Sequence, residues 1–176
     1  QGKMDFGISA LDFNENQHLE VEKLPDGIEY SILFNDHQTC LVNENHPILK
    51  SVDNGTWNLE KYLQQNHIQI ICEGNKWWSL DYFLEKQGKQ RNVLSTLPDF
   101  YGGAGLCAHS DLIFTLPSSF VAHAKKLYPL KEIPLPFSFY EMAYVLIWHQ
   151  RNNDEPGHQW VREMICNSVA NTFRKE

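Results

Sequence analysis

The run LIWHQRNNDEPGHQWVREMI (Leu146–Ile165) holds two histidines, two tryptophans and two arginines around a Pro-Gly turn signal. His149 and His158 are of a type that ligates metals or moves protons. Their placement argues against both roles. They fall on different predicted elements, with no i,i+4 histidine pair and no cysteine pair nearby, so the ligand spacing of a zinc site is not met. His46, before Pro47, and His67, opening a strand, read as turn and cap residues. Cys40, Cys72, Cys107 and Cys166 form no C-x-x-C pair and sit in apolar runs. They read as buried free thiols of a reducing compartment.

Other chemistries fail on spacing too. Gly102, Gly103 and Gly105 lie between a predicted strand and a predicted helix, where a dinucleotide would sit. However, YGGAGLC is not G-x-G-x-x-G, and the following strand does not end in a suitable acidic residue. No G-x-S-x-G elbow supplies an acyl-transfer serine. Asp99, Asp111 and Glu73 could serve as acid or base, but no paired-carboxylate spacing singles them out. The sequence offers no catalytic residue, no metal ligand set and no cofactor site.

The 176 residues suffice for one ordinary domain or two small lobes. Hydrophobic residues make up 42% and charged residues 21%, so a packed core is expected. The net charge of -7 and the lack of a basic reading helix argue against specific DNA binding by these residues alone. No apolar run approaches the ~18 residues that span a membrane.

The patterning predicts alternating strands and helices. Met4–Ile8 reads as a strand, Asp12–Asp36 as loops with a strand near Glu20–Lys23, and His37–Val42 as a strand followed by a turn. Trp57–Gln65 has helical spacing. Strands at His67–Cys72, Asn92–Leu97 and Asp111–Leu116 alternate with helices at Trp78–Gly88, Tyr101–His109 and Pro117–Lys126. That rhythm argues for a parallel α/β sheet. A strand at Tyr140–His149 and a helix opening at Pro156, capped by Asp154 or Glu155, close the chain. Val161, Met164, Ile165, Val169 and Phe173 recur at helical spacing along that last helix.

Two strand ends point to binding. Cys72 and Leu97 each run into a loop and then a helix start, EGNKWWS and PDFYGG. In a parallel α/β sheet, ligands sit at the carboxyl ends of strands. Both loops carry aromatics: Trp77, Trp78, Phe100 and Tyr101. The plainer reading is that these rings cover the edge of the core.

Taken in order, several stretches resemble the effector-binding domain of bacterial LysR-type transcriptional regulators, in particular the NodD/LeuO-like branch. QGKMDFGIS looks like the family's G-x-x-D-x-x-I strand, and LFNDHQTCLVNENHPI like its strand and HP turn. IICEGNKWWSLDYFLEKQG looks like its strand–loop–helix–Gly unit, and LPDFYGGAGLCAHSDLIFTLP like the loop, helix and strand ending in LP. The run from IPLPF to VREMI is similar to the closing segment of that branch, where a W-H strand leads to a D-x-x-H-x-W helix start.

The resemblance implies a two-lobed α/β fold of the periplasmic-binding-protein type (type 2). Residues 1–36 and 140–176 would form the first lobe and 37–139 the second, with crossovers near Asp36–Cys40 and Ser138–Tyr140. The family's domain normally starts several elements earlier, after a winged helix-turn-helix. The chain is thus expected to be a fragment of a longer cytoplasmic regulator, its first lobe truncated at the N-terminus. One sheet face at Phe6, Ile8 and Val145–Ile147 would then be uncovered, favouring a homo-oligomer. The family also usually dimerises through this domain.

A small effector would lie between the lobes, touching Ser9, Asn75, Lys76, Trp77, Asp99 and Phe100. The rings and Lys76 suggest an aromatic or planar acid, which Asp99 would oppose unless it is capped or paired. DNA would be reached only through a helix-turn-helix domain outside these residues. Within the opening run, Trp148 and His149 would end a strand, Asn153–Gly157 would form the turn and cap, and Trp160 would pack the last helix onto the first lobe. The alternatives are a solute-binding protein of related fold and a lyase-like enzyme. The first is disfavoured by the unpaired cysteines and the second by the absence of a convergent acid/base pair.

Overall fold

The computed structural model describes residues 4–14, 16, 18–21, 24–71 and 78–173. The chain divides into two compact units, Gln1–His37 with Tyr140–Glu176, and Gln38–Phe139.

The second unit is built on a five-stranded mixed sheet. Its strands are β3 (Gln38–Asn43), β4 (Asn66–Ile70), β5 (Asn92–Leu97), β6 (Leu112–Pro117) and β7 (Leu130–Ile133), in the order β5-β4-β6-β3-β7. The sheet is only partly the parallel one expected. β4 runs parallel to β5 and β6, while β3 is antiparallel to both β6 and β7. The parallel strands follow from two crossovers, through helix α3 (Ser79–Glu85) and helix α4 (Phe100–Ala108). Every residue of β6 is buried, as its place at the centre of a two-sided sheet requires, and all but Thr115 are apolar.

The two-residue period of the strands sorts the core into two faces. Leu41, Ile68, Ile70, Phe114 and Leu116 pack with Ala104 and Cys107 of α4 and Ala124 of α5 (Val121–Leu127). Cys40, Val42, Ile113 and Ile133 pack on the other side with Tyr62, Leu80 and Leu84. Tyr62 belongs to α2 (Leu59–Leu63), shorter than the Trp57–Gln65 helix expected. Asn58 caps it by accepting from Lys61 N at 3.0 Å, which leaves Trp57 outside. A further short helix, α1 (Leu49–Asp53), occupies what was read as a simple turn. Pro117 ends β6 rather than opening a helix; a 3₁₀ turn at Ser118–Phe120 precedes α5.

The first unit holds an antiparallel sheet in the order β1-β8-β2, made of β1 (Phe6–Asp12), β2 (Ile28–Asp36) and β8 (Met142–His149). The strand expected near Glu20–Lys23 is instead β2. Glu22 and Lys23 lie outside the described residues, and Leu19 makes only an isolated bridge with Phe13. Phe13, Leu19, Val21 and Leu24 pack on Leu11, Ala143 and Val145. Helix α6 (Pro156–Phe173) takes the opposite face. The His158 ring lies 4.0 Å from that of Phe6, and Cys166 Sγ lies 3.9 Å from Ser31 Oγ. Val145 and Leu146 are therefore buried and Phe6 is half-buried, so the uncovered face expected there shrinks to Ile8, 63% exposed.

Trp160 does not pack this helix onto the sheet. It is 63% exposed, Met164 is also exposed, and the side chain of Phe173 lies outside the described residues. His158 does the packing instead, because the helix turns its His158, Arg162 and Cys166 edge inward.

The glycines of α4 now have a structural reason. A Cβ built on Gly103 would lie 2.6 Å from Phe114 Cζ and 3.1 Å from Ile70 Cδ1. Both neighbours are fully buried and cannot swing away. Gly103→Ala should destabilise the second unit despite alanine's better helix propensity, since overpacking costs about 1–3 kcal/mol against a propensity gain of about 1 kcal/mol at most. Thermal unfolding followed by circular dichroism should show a midpoint lowered by several degrees, whereas Gly102→Ala, which meets only the Asp99 carboxylate at 3.5 Å, should be tolerated better.

Candidate functional site

In the second unit the carboxyl ends of β4 and β5 lead to the starts of α3 and α4, and the side chains there are aromatic. Phe100 is half-buried, with its ring 6.1 Å from Trp78, 6.1 Å from Phe114 and 5.6 Å from Phe120. Tyr101 meets Phe120 edge-on at 4.8 Å and remains 53% exposed. Trp78, Phe100 and Phe120 thus seal the core edge on one side while leaving partly open ring surface on the other. Asp99 is the N-cap of α4. Its Oδ1 accepts from Gly102 N at 2.8 Å, so the helix start holds its charge.

Behind these loops lies a buried polar assembly. The Arg91 guanidinium donates from Nε to Asp81 Oδ1 at 2.9 Å, and from Nη2 to the same oxygen at 2.6 Å and to Gln69 Oε1 at 2.5 Å. Asp81 Oδ2 accepts from Trp78 N at 3.0 Å, and the Trp78 indole donates to Ile70 O at 2.9 Å. Arg91 and Gln69 are buried, and with Asp81 they border a cleft of about 510 Å³. Deeper in, Tyr62 Oη and Thr115 Oγ1 lie 2.8 Å apart, and Thr115 Oγ1 is 3.5 Å from Cys40 Sγ. Burial pushes the Cys40 and Cys107 thiols up to about 12, so both are unionised. His67 is a core histidine inside β4, not the cap expected. Burial, followed by the neighbouring Arg91 charge, lowers its pKa to about 3, and its neutral ring donates from Nε2 to Tyr62 O at 2.9 Å.

The residues expected to contact a ligand fall as follows. Asp99 and Phe100 are adjacent at the start of α4. Asn75, Lys76 and Trp77 lie outside the described residues, as do Cys72 and Glu73. Ser9 is half-buried in β1 of the first unit, opposite Val145. The sequence reading missed Gln69, Asp81 and Arg91. One signal was available: a glutamine in the middle of the apolar strand run HIQII must find a buried partner.

The side chains of the opening run bond chiefly to one another. His149 ends β8 and its Nδ1 accepts from Arg151 N at 3.1 Å. Trp148 donates to Asn153 Oδ1 at 2.6 Å, while Arg162 lies 4.7 Å over its ring. Glu155 accepts from Gly157 N and His158 N at the start of α6. His158 sits between Asn152 and Arg162, its two ring nitrogens 3.0 and 2.9 Å from them. Cys166 is half-buried rather than buried, and Cys40 and Cys107 are free thiols.

Residues 1–169 match the family model of the LysR substrate binding domain. Among solved structures, the chain is similar to the probable transcriptional regulator PA0477 from Pseudomonas aeruginosa, at 22% identity and a TM-score of 0.78. It covers 93% of this chain but 49% of that one, so the residues span about half of that regulator's length. The regulatory domain of MexT, a transcriptional activator in Pseudomonas aeruginosa, is 22% identical with a TM-score of 0.73, covering 94% of this chain and 72% of that one. The BenM effector binding domain with its effector benzoate is 16% identical with a TM-score of 0.66, covering 97% and 71%.

The neutral His67 makes the second unit acid-sensitive. Its folded pKa lies below the ordinary 6.5, so the unfolded chain takes up the proton first. The stabilisation is complete above pH ~6.5 and is lost as pH falls towards 3, at about 1.4 kcal/mol per pH unit for this one group. Urea unfolding at pH 7, 6, 5 and 4 should show His67→Gln less stable than the parent at pH 7, with the gap narrowing steadily on acidification. A gap constant with pH would contradict this assignment.

Proposed function

The chain belongs to the LysR substrate-binding domain family, and on that premise we propose that it senses a small aromatic or planar acid for a transcription regulator. The observation that carries the proposal is the meeting of two strand ends and two helix starts at a partly open aromatic surface, Trp78, Phe100 and Tyr101. Strand ends of this kind are where α/β sheets bind ligands. The rings would supply apolar contact. Lys76, in the connection after β4, would meet the carboxylate; Asn75, Trp77 and Ser9 are proposed as further contacts. Asp99 is capped by its own helix, so its charge is partly met and opposes an anion less than an isolated carboxylate would. That BenM takes benzoate supports the chemical class.

The matched family is that of the regulators, which sets aside the solute-binding alternative. Relatives such as PA0477 and MexT are transcriptional regulators rather than enzymes. DNA would be read by a helix-turn-helix domain of a longer protein, consistent with a chain spanning about half of PA0477. The lobe bounds 1–36 with 140–176 and 37–139 are proposed as the functional lobes. Among the described residues no helix is long and apolar enough to cross a membrane, and a cytoplasmic setting is proposed with free Cys40 and Cys107 as support. Self-association is supported by exposed Ile8, Tyr30 and Ile32 on the outer strands of the three-stranded sheet. The NodD/LeuO-like branch is proposed from the Trp148-His149 strand end and the Asp154–Trp160 helix start.

Titration calorimetry against a panel of aromatic acids, benzoate included, should show binding that Lys76→Ala weakens by roughly tenfold, the scale of one charge-assisted contact. If neutral aromatics bind best and Lys76→Ala changes nothing, the charge assignment is wrong.

A further inference from the structure

Four side chains form a closed ring of hydrogen bonds around the two ends of the β4–α3 connection. Gln69 and Ile70 are consecutive at the end of β4. From Gln69 the ring passes to Arg91 (2.5 Å), from Arg91 to Asp81 (2.6 and 2.9 Å), from Asp81 to the Trp78 amide (3.0 Å), and from the Trp78 indole back to Ile70 O (2.9 Å). A cross-brace from Gln69 Nε2 to Asp81 Oδ2 at 3.3 Å closes it again. The connection therefore leaves the ring at Ile70 and re-enters it at Trp78, so both departure points are fixed to one rigid body. Arg91 and Gln69 are 4% and 2% exposed. A buried fork of this kind has one low-energy geometry, because an arginine turned away from its carboxylate would leave a buried charge unpaired. Trp78 is shared between the ring and the aromatic surface that includes Phe100, which couples the two directly.

We propose that Gln69, Asp81 and Arg91 are positioning residues for effector binding: they touch no effector, but through Trp78 they set the aromatic surface that it forms with Phe100, and so set affinity. The inference rests on the reading of that aromatic surface as ligand-contacting. It adds three residues that lie behind the surface and that no strand-end argument would select. It also predicts a selective consequence. Weakening the ring should release Trp78 and lower affinity, whereas equal destabilisation elsewhere in the unit should do neither.

The experiment compares Arg91→Lys and Asp81→Asn with Val42→Ala, a core truncation in β3, which β6 separates from β4. Arg91→Lys keeps the charge but loses the planar fork that spans Asp81 and Gln69. Each chain is assayed well below its own unfolding midpoint, so that all are folded. Two quantities are read: hydrogen exchange of the Trp78 indole and amide protons by NMR, and the Kd for benzoate by calorimetry. The ring variants should exchange the Trp78 indole proton at least tenfold faster and bind benzoate about tenfold more weakly, while Val42→Ala leaves both at parent values. The indole bond runs to Ile70 O and involves neither substituted side chain, so its loosening reports positioning and not a deleted partner. Ring variants that lose thermal stability yet keep parent exchange and parent Kd would overturn the proposal. If Asp81→Asn fails to fold, Arg91→Lys alone decides. Were the parent chain to bind no acid of the panel, the effector reading would fall by itself; unchanged indole exchange in Arg91→Lys would still overturn the ring as a positioning device.

Discussion

The arrangement of the second unit turns on a buried guanidinium. Moving an arginine charge out of water costs several kcal/mol unless it is paired in good geometry, and Arg91 is 4% exposed. Asp81 must therefore face it from α3, and Gln69 from β4. These requirements fix the turn of α3 relative to the sheet and the point at which the chain enters β5. They also dictate where α3 begins, since the same carboxylate that neutralises Arg91 holds the Trp78 amide.

The sheet divides the labour between its faces. Alternation along β4 sends Ile68 and Ile70 to the face occupied by α4 and α5, and His67 and Gln69 to the face occupied by Tyr62 and α3. The first face is apolar and tight enough that Gly103 is needed for α4 to lie against Phe114. The second carries the polar assembly, whose members Arg91, Asp81 and Gln69 hold one another by hydrogen bonds. Phe100 and Trp78 stand where the two faces meet at the strand ends, one belonging to each helix start. An aromatic surface backed in this way loses little side-chain entropy on meeting a flat ligand, which favours affinity.

How far the sequence revealed this depended on range. The largely apolar β6 and helix α3, whose exit turn holds Gly88 at a φ of +67°, were legible because burial and chain reversal are local demands. The turn in the run ending in VREMI was legible from its chemistry, and of the two residues expected as cap, Asp154 or Glu155, Glu155 accepts from Gly157 N and His158 N. β2 was missed although it carries Ile28, Tyr30, Ile32, Leu33 and Phe34: its pairing shifts between Ile32 and Phe34, which breaks the two-residue alternation, and Tyr30 and Ile32 stay exposed on an outer strand. Trp160 misled for a different reason. Helical periodicity says which residues share a face but not which face turns inward, and here the His158–Phe6 contact decides. The Arg91–Asp81 pair lay beyond pattern reading, since only the return of the chain around α3 brings the two together. Of the contact residues proposed, Asp99 and Phe100 are placed at a strand end by the fold, while Asn75, Lys76 and Trp77 lie outside the described residues.

The proposed place of an aromatic acid is at the β4 and β5 strand ends. Backbone chemical-shift mapping during a benzoate titration of the ¹⁵N-labelled chain tests it most directly. Saturable shifts should concentrate at Ile71, Trp78 and Asp99–Tyr101, with the amides of α5 and β7 unmoved. Saturable shifts confined to other surfaces, or amides at those strand ends that stay fixed at millimolar benzoate, would contradict it.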